Sequence, residues 1–293
     1  MKLSISTCAT ELQITPEGQV FDAAAGIRQA AEAGFQYVDF NLAKAAKFSR
    51  PLAQNNWRDW AKQMREVADA CGVTIEQTHA HWFYIADENS LDVAADMEYL
   101  HRSVEASAIL GNSPWVVTHP LSLADSLGYN KARTKEFLKK LYGELGEIAS
   151  RCGAKIAAEN LFTGGMRYFG CNADDLCWLM ETLNDPFFGI CWDFGHANKM
   201  GLDQAASLHQ IAPYLRVTHV HDNKAVFDDH FFPYFGNVPW KKILPEIKKI
   251  GYNGNWNFET HVTYHTIPQT MRISALRFLH DLGEDMIKQI QNA

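Results

Sequence analysis

Short β-type segments alternate with longer helix-type segments along the whole chain of 293 residues, and this alternation limits the fold more than any other feature. Apolar residues recur every three or four positions in the longer segments, as they do in the βα units of a parallel sheet. The eight predicted strands are residues 3–7, 37–40, 74–78, 115–118, 155–158, 189–192, 216–220 and 255–258. The eight predicted helices are residues 23–33, 57–70, 91–110, 131–151, 173–183, 202–214, 239–250 and 269–291.

Eight strands alternating with eight helices favour a closed barrel over an open doubly wound sheet. An open sheet usually carries a glycine-rich phosphate loop, and neither common form of that loop follows a predicted strand. Pro239 is predicted at the first position of its helix. Several helices are predicted to end at a C-cap glycine, namely Gly34, Gly72, Gly153 and Gly251. No linker interrupts the pattern, so we expect an α/β fold with a single (β/α)8 TIM barrel domain over residues 1–293.

The composition limits the partners that the chain could bind. Its 27 lysine and arginine residues against 34 aspartate and glutamate residues give a net charge of -7, so we expect no nucleic acid partner. No apolar run approaches the ~20 residues of a membrane span, and the first residues do not resemble a signal peptide, so we expect no membrane partner. Six cysteines without a C-x-x-C pair indicate reduced thiols, and we expect a cytoplasmic protein.

Side chains that can bind metal close seven of the eight predicted strands. They are Asp39, His79, His119, Glu159, Asp193, His219 and Glu259. In a (β/α)8 barrel the carboxyl ends of all strands meet at one rim, so these side chains should converge there. Several carboxylates beside an apolar interior are costly to bury unless a cation neutralises them. The pattern therefore predicts a divalent metal ion, with zinc or manganese first and cobalt, iron or magnesium as alternatives.

Two further groups of metal-binding residue types lie near the same rim. His196 stands three residues after Asp193, and Asp228 and His230 are two residues apart in the long segment after the seventh strand. Each residue alone could equally be a helix cap or a hydrogen-bonded loop residue. Together with His79 and His119, they are candidates for a second or third metal site or for a substrate site.

The order and spacing of these segments resemble the xylose isomerase-like barrel superfamily, which includes sugar and sugar phosphate isomerases, epimerases and endonuclease IV. The segments that carry the resemblance are QTHAHW (77–82), VVTHP (116–120), AAENL (157–161), CWDFGHAN (191–198), THVHDN (218–223), DDHFFPYFGNVPW (228–240) and NFET (257–260). The resemblance implies metal ligands at Glu159, Asp193, His219 and Glu259. It also implies that His196 contacts the substrate. Its endonuclease branch implies further ligands at His79, His119, His196, Asp228 and His230.

This resemblance implies a metal-dependent isomerase or epimerase of a sugar, a sugar phosphate or an inosose-like polyol. The metal would stabilise an enediolate while Glu159 and Glu259 remove and return a proton, so these two residues are the catalytic candidates. The candidates for substrate binding are His196, His81, Trp82 and Lys224. The choice between His79 and His81 as the residue facing the site stays open. The family's P-G-x-G turn reads PYFG (233–236), and the first cation after His219 is Lys224, where epimerases commonly carry an arginine, which disfavours a sugar phosphate.

Two other functions stay open at this point. A multi-metal phosphodiesterase like endonuclease IV would use the full ligand set, but the net charge of -7 and the few cations near the rim argue against DNA. A non-catalytic metal-binding barrel would not need the pair Glu159 and Glu259. The resemblance also makes a homodimer a candidate assembly.

Overall fold

Eight parallel strands close into a barrel in the computed structural model, which describes residues 1–15, 18–46, 50–85, 91–125 and 128–293. The strands are β1 (Lys2–Ser6), β2 (Tyr37–Asn41), β3 (Thr74–His79), β4 (Trp115–Thr118), β5 (Lys155–Glu159), β6 (Phe188–Asp193), β7 (Leu215–His219) and β8 (Asn255–Phe258). Strand β1 pairs in parallel with both β2 and β8, and this pairing closes the barrel. The predicted (β/α)8 barrel is therefore confirmed.

A long helix follows each strand in the described parts of the chain. These helices are α1 (Ala23–Glu32), α2 (Trp57–Ala70), α3 (Leu91–Leu110), α4 (Lys131–Cys152), α5 (Ala173–Leu183), α6 (Gln204–Ile211), α7 (Trp240–Lys249) and α8 (Arg272–Asn292). Shorter helices and 3-10 turns occur at Thr7–Ala9, Lys44–Ala46, Pro51–Ala53, Phe194–Lys199, His261–Thr266 and Gln269–Met271. Two antiparallel hairpins pair Leu12–Thr15 with Gly18–Phe21 and Ala124–Asp125 with Gly128–Tyr129. Among the described helices, none is long and apolar enough to cross a lipid bilayer.

Capping residues fix the ends of several helices. Asp22, Asn130, Asn172 and Asp203 each accept a hydrogen bond from the backbone N–H three residues further on. Such a cap satisfies one of the N–H groups that the first helical turn leaves unpaired. At the other end of α4, Gly153 adopts a left-handed φ of 88° and donates its N–H to the preceding turn. The other three predicted C-cap glycines, Gly34, Gly72 and Gly251, also have positive φ.

The helices after β6 and β7 differ from their predicted bounds. The helix predicted at 202–214 is shorter, because Asp203 caps α6 and the left-handed Gly201 ends the preceding segment. The sequence analysis missed the short helix Phe194–Lys199, which Asp193 caps directly at the end of β6. Pro239 is the residue before the first helical position of α7 and not the first helical residue itself.

The layer of residues beneath the barrel mouth explains why the strand ends face inward together. Val117, Ala157, Cys191 and Val217 form a small buried cluster with one residue from each of β4 to β7. Side chains two positions apart point to the same face of a strand. The residues two positions further along therefore also point into the barrel, and this places His119, Glu159, Asp193 and His219 at its mouth.

The larger apolar core lies between the barrel and the surrounding helices. Trp256 of β8 is fully buried and packs against the rings of Phe194 and Trp240, with centroids 5.2 and 6.3 Å away. Burying aromatic rings of this size supplies a large part of the stability of a domain. This packing fixes β8 and the short helix after β6, and both carry residues of the site.

Candidate metal centre and cavity

Four side chains at the carboxyl ends of the strands form the centre of the site. Glu159, Asp193 and His219 are the last residues of β5, β6 and β7, and Glu259 directly follows β8. One ligand atom from each residue lies within 4.8 Å of the others, and all four residues are buried. His219 Nδ1 is 3.0 Å from Glu159 Oε1 and 3.3 Å from Glu259 Oε2. The structure therefore brings together the four residues that the sequence analysis assigned as metal ligands.

The second oxygen of Glu159 faces two histidines from neighbouring strands. Glu159 Oε2 lies 3.3 Å from His79 Nε2 and 3.1 Å from His119 Nε2. His79 ends β3, and His119 directly follows β4. These three residues form a second group of ligand atoms within 4.8 Å of one another, and this group shares Glu159 with the first. His79 is therefore the histidine of its segment that faces the site.

A third group combines three predicted residues with one that the sequence analysis missed. The predicted residues are His196, Asp228 and His230, and the additional one is His221. Asp228 Oδ2 lies 3.1 Å from His230 Nε2 and 3.4 Å from His196 Nε2. The His221 ring stacks on that of His230 with centroids 3.9 Å apart. A two-residue spacing from His219 could have identified His221, because such residues share a face of an extended strand.

A glycine allows His221 to approach the first group. Its Nε2 lies 2.9 Å from Asp193 Oδ1. A Cβ atom on Gly195 would overlap the His221 ring, so this close approach requires glycine. Asp193 also accepts a hydrogen bond from the backbone N–H of His196 at 2.6 Å. The same carboxylate thus holds the start of the short helix and orients an imidazole, which fixes both relative to the metal ligands.

Three histidines show the hydrogen bonding that metal-binding imidazoles use. The Nδ1 atoms of His79, His196 and His230 lie 2.9, 2.8 and 2.8 Å from backbone carbonyl oxygens, which can only accept a hydrogen bond. Nδ1 therefore carries a proton in each of the three rings, and Nε2 would be the nitrogen that binds a metal ion after losing its own proton. A metal-binding histidine commonly donates its other N–H to a backbone carbonyl in this way.

The buried carboxylates also indicate that the site binds a cation. Glu159 Oε2 and Asp228 Oδ1 are buried without a hydrogen-bond partner. Within the described part of the chain, the ion pairs of Glu159, Asp193 and Glu259 involve histidines and no lysine or arginine. Burying several anions together is costly without added positive charge. The residues present therefore fit a divalent cation, and mixed carboxylate and imidazole donors suit zinc, manganese, cobalt and iron alike.

The carboxylates and imidazoles also shift each other's pKa. Burial acts to raise the pKa of Glu159, but His219 and His119 outweigh it and hold this pKa well below its usual value. Burial acts to lower the pKa of His196, but Asp193 and Asp228 outweigh it and raise this pKa to about 10. The Glu159 carboxyl group is therefore ionised at neutral pH, whereas the His196 imidazole holds a second proton that a bound cation would displace.

Asp39 lies below the mouth and supports His219 from behind. Strand β2 continues to Asn41, so Asp39 is two residues deeper in the barrel than the end of its strand. Its Oδ2 lies 3.2 Å from His219 Nε2 and accepts hydrogen bonds from the side chains of Gln77 and Asn257 at 3.1 and 3.0 Å. A carboxylate on the far nitrogen orients a metal-binding imidazole. Asp39 is therefore a supporting residue, whereas the sequence analysis expected it at the rim.

A cavity of about 450 Å³ opens beside the three groups of ligand atoms. Glu159, Glu259 and His196 line it, as do His79, His119, Asp228 and His230. Its wall also carries three aromatic rings and two cations, which belong to Trp82, Tyr84, Phe162, Lys44 and Arg167. This volume lies within the usual range of small-molecule sites.

The aromatic rings of the wall are held in place by neighbouring polar groups. Trp82 stacks on the His119 ring with centroids 5.5 Å apart, and it stays 39% exposed, so part of its surface is open to a ligand. The Arg167 guanidinium lies 3.7 Å from the centroid of the Phe162 ring. Rings beside carboxylates and imidazoles suit a small molecule that has both hydroxyl groups and a C–H face.

Two of the expected substrate-binding residues lie outside this cavity. Strand β3 ends at His79, and two residues further on His81 Nε2 lies 2.6 Å from Asp96 Oδ1 of α3. Lys224 is exposed and does not line the cavity. The structure therefore differs from the expectation for His81 and Lys224, whereas His196 and Trp82 do line the cavity.

Cys8, Lys44 and His261 are among the residues of the cavity wall that were not predicted from the sequence. Cys8 lies in the turn directly after β1, and His261 begins the short helix after β8. Extending the search by a few residues past the first and last strands would have found Cys8 and His261. Lys44 lies in the 3-10 turn after β2, and nothing in its sequence context distinguishes it from an ordinary surface lysine.

A parallel (β/α)8 barrel with buried histidines and carboxylates at its mouth defines the class of this chain as a TIM barrel with a candidate metal centre. The sequence model of the family described as xylose isomerase-like TIM barrel matches residues 27–282. The chain therefore belongs to the xylose isomerase-like TIM barrel family.

Individual proteins are similar to the chain in sequence or in structure. An uncharacterized protein of Sinorhizobium fredii is 25% identical over 181 residues, which are 59% of this chain and 55% of the relative. The chain spans about half the length of the curated relatives it matches. The structure of a D-tagatose 3-epimerase-like protein has a TM-score of 0.74 at 20% identity, covering 100% of this chain and 99% of the other. That of D-psicose 3-epimerase from Clostridium cellulolyticum H10 has a TM-score of 0.72 at 13% identity, covering 98% and 99%. These two similarities establish a shared fold.

Proposed function

We propose that the chain is a divalent-metal-dependent isomerase or epimerase of a sugar or a related polyol. The observation that carries the proposal is that Glu159 and Glu259 both line the cavity and both belong to the central ligand group. Moving a proton next to a carbonyl needs a group that removes it and a group that returns it. The names of the two structural neighbours, a D-tagatose 3-epimerase-like protein and a D-psicose 3-epimerase, support the same class of reaction.

The proposed roles follow from where each residue lies. Glu159, Asp193, His219 and Glu259 hold the cation, which supplies Lewis-acid polarisation of a substrate carbonyl and its neighbouring hydroxyl when bound. Strands β6 and β7 separate β5 from β8, so Glu159 and Glu259 approach the cavity from different sides. One carboxylate removes the proton from the carbon next to the carbonyl, and the other returns a proton. His196, which also lines the cavity, orients a substrate hydroxyl.

Two conservative variants test the proton-transfer roles, with kcat measured at saturating metal because both residues are also proposed metal ligands. Glu159→Gln and Glu259→Gln keep the shape and one carbonyl oxygen, but an amide cannot accept the proton. We expect kcat to fall by about 10² to 10⁴ in both, which is the usual contribution of an acid–base group. Glu66→Gln, at an exposed position of α2, is the control and should keep full activity.

The assay is a panel of ketohexoses, ketopentoses and inososes with protein loaded with Mn²⁺, Co²⁺ or Zn²⁺. Product formation reports isomerisation or epimerisation, and deuterium uptake from D₂O at the carbon next to the carbonyl reports proton transfer. Loaded wild-type protein that shows neither turnover nor exchange on the panel would count against the proposal. Full activity of Glu259→Gln would remove this residue from the proposed mechanism.

The third ligand group favours one alternative, a multi-metal phosphodiesterase of the endonuclease IV kind. His196, Asp228 and His230 could hold an additional cation beside the central group. The net charge of -7 argues against it, since enzymes that bind DNA usually surround the site with cations. We expect no cleavage of duplex DNA that contains an abasic site. Cleavage together with about three metal ions per chain would replace the isomerase proposal.

A further inference from the structure

We propose a second cation site, formed by Cys8, Glu259 and His261, for a thiophilic divalent cation such as Zn²⁺. One ligand atom from each residue lies within 4.8 Å of the others, and all three residues line the cavity. The site adjoins the central ligand group and shares only Glu259 with it. A thiolate, an imidazole and a carboxylate together form a donor set that zinc binds in proteins.

The fold brings these three residues together through the pairing of β1 with β8. Because the two strands are hydrogen-bonded neighbours, the turns that follow them begin side by side. Cys8 is the middle residue of the 3-10 turn Thr7–Ala9, and His261 is the first residue of the short helix after β8. The Cys8 carbonyl oxygen accepts a hydrogen bond from Lys44 Nζ at 2.8 Å, which holds the turn in place.

The two distances from the Cys8 sulfur are close to those around a tetrahedral zinc ion. Cys8 Sγ lies 3.7 Å from Glu259 Oε1 and 3.7 Å from His261 Nδ1. With a Zn–S bond of about 2.3 Å and Zn–N or Zn–O bonds of about 2.0 Å, a tetrahedron places the sulfur about 3.5 Å from each of the other ligands. Small side-chain adjustments therefore suffice to bind the ion. Three protein ligands beside a cavity correspond to an open zinc site, whose fourth position takes water or a ligand atom.

Glu259 can serve this site and the central group at once because its two oxygens face in different directions. Oε2 lies 3.3 Å from His219 Nδ1 in the central group, whereas Oε1 faces Cys8. Thiolate favours zinc over hard cations such as Mg²⁺, so the second site should be the more selective of the two. A cation there would hold the Glu259 oxygen that the central group leaves free, so an occupied site should slow the proton transfer that is proposed for Glu259. Its effect on turnover rests on the proposed function, whereas the existence of the site does not.

Metal titration of the whole protein tests the site directly. Binding forms a metal–sulfur bond and releases the thiol proton to solvent. We expect Co²⁺ to produce near-ultraviolet thiolate-to-cobalt charge-transfer absorption in the wild-type protein and in the control Cys177→Ser, whose buried cysteine lies on α5. Cys8→Ser should lack this absorption, bind one Zn²⁺ per chain fewer, and bind cobalt at this site at least about tenfold more weakly. No absorption in the wild type at saturating Co²⁺, or undiminished absorption in Cys8→Ser, would overturn the proposal.

Labelling of the wild-type protein with iodoacetamide is a second measurement that needs no variant. Alkylation of Cys8, read by peptide mass, should slow at least about tenfold with Zn²⁺, because the bound thiolate is no longer free to react. Mg²⁺ should leave the rate unchanged. Equal rates with and without Zn²⁺ would overturn the proposal. Neither measurement depends on turnover, so failure of this site and failure of the proposed function give different results.

Discussion

The buried carboxyl group of Glu11 should make the stability of the fold depend on pH. Glu11 is fully buried, its Oε1 has no hydrogen-bond partner, and Lys44 Nζ lies 3.5 Å away. Burial raises the pKa of Glu11 to about 7 and outweighs the attraction of Lys44. The ordinary value of 4.5 applies to the unfolded chain. Between these two values the folded state binds more protons than the unfolded state, so stability falls as the pH rises.

The magnitude of this effect follows from the shift of about 2.5 pKa units, the difference between about 7 and 4.5. At about 1.4 kcal/mol per unit, ionising Glu11 costs about 3 kcal/mol once the pH is above 7. Glu11→Gln removes the titration and keeps the shape of the side chain. The wild-type protein should therefore lose about 2 to 3 kcal/mol more of its free energy of unfolding than Glu11→Gln does between pH 5 and pH 8.

The assay is urea denaturation of both proteins at several pH values between 5 and 8, with Glu66→Gln as an exposed control. Taking the difference between wild type and Glu11→Gln cancels the titration of the histidines in the site. Free energies of unfolding that change in parallel for the two proteins across this range would refute the reasoning.

Three further changes test individual features of the site and the core. Gly195→Ala should push the His221 ring away from the Asp193 carboxylate and weaken metal binding at least about tenfold. Competition with a chelating dye measures the affinity, and a wild-type affinity would contradict this prediction. Trp256→Ala should lower the free energy of unfolding, measured by urea denaturation, by about 3 to 5 kcal/mol because it empties a fully buried position. A loss below about 1 kcal/mol would contradict the tight packing of Trp256 in the core. If the proposed function holds, Trp82→Ala should raise KM up to about tenfold, because the substrate loses its contact with the ring. A fall in kcat with an unchanged KM would argue that Trp82 does not bind the substrate.

Much of the fold and the centre of the site could be predicted because both depend on local patterns. Alternating periods of two and 3.6 residues specify strands and helices, and a closed parallel barrel brings all strand ends to one rim. Glu159, Asp193 and His219 end their strands, and Glu259 directly follows one, so their convergence follows from the fold alone.

The remaining features depend on where a strand stops and how the chain turns afterwards. Asp39 is below the rim because β2 runs two residues beyond it. His81 lies past the last residue of β3, and its imidazole contacts Asp96 of α3, a tertiary contact that local sequence does not specify. Cys8 and His261 reach the cavity through short turns whose direction is set by tertiary packing, and local sequence does not encode that direction.

Anomalous X-ray scattering tests the central claim most directly. Crystals of the protein loaded with Zn²⁺ or Mn²⁺ should show, at the absorption edge of the metal, a peak about 2.0 to 2.3 Å from one atom each of Glu159, Asp193, His219 and Glu259. A fully loaded protein whose anomalous peaks all lie away from these four side chains would contradict the account.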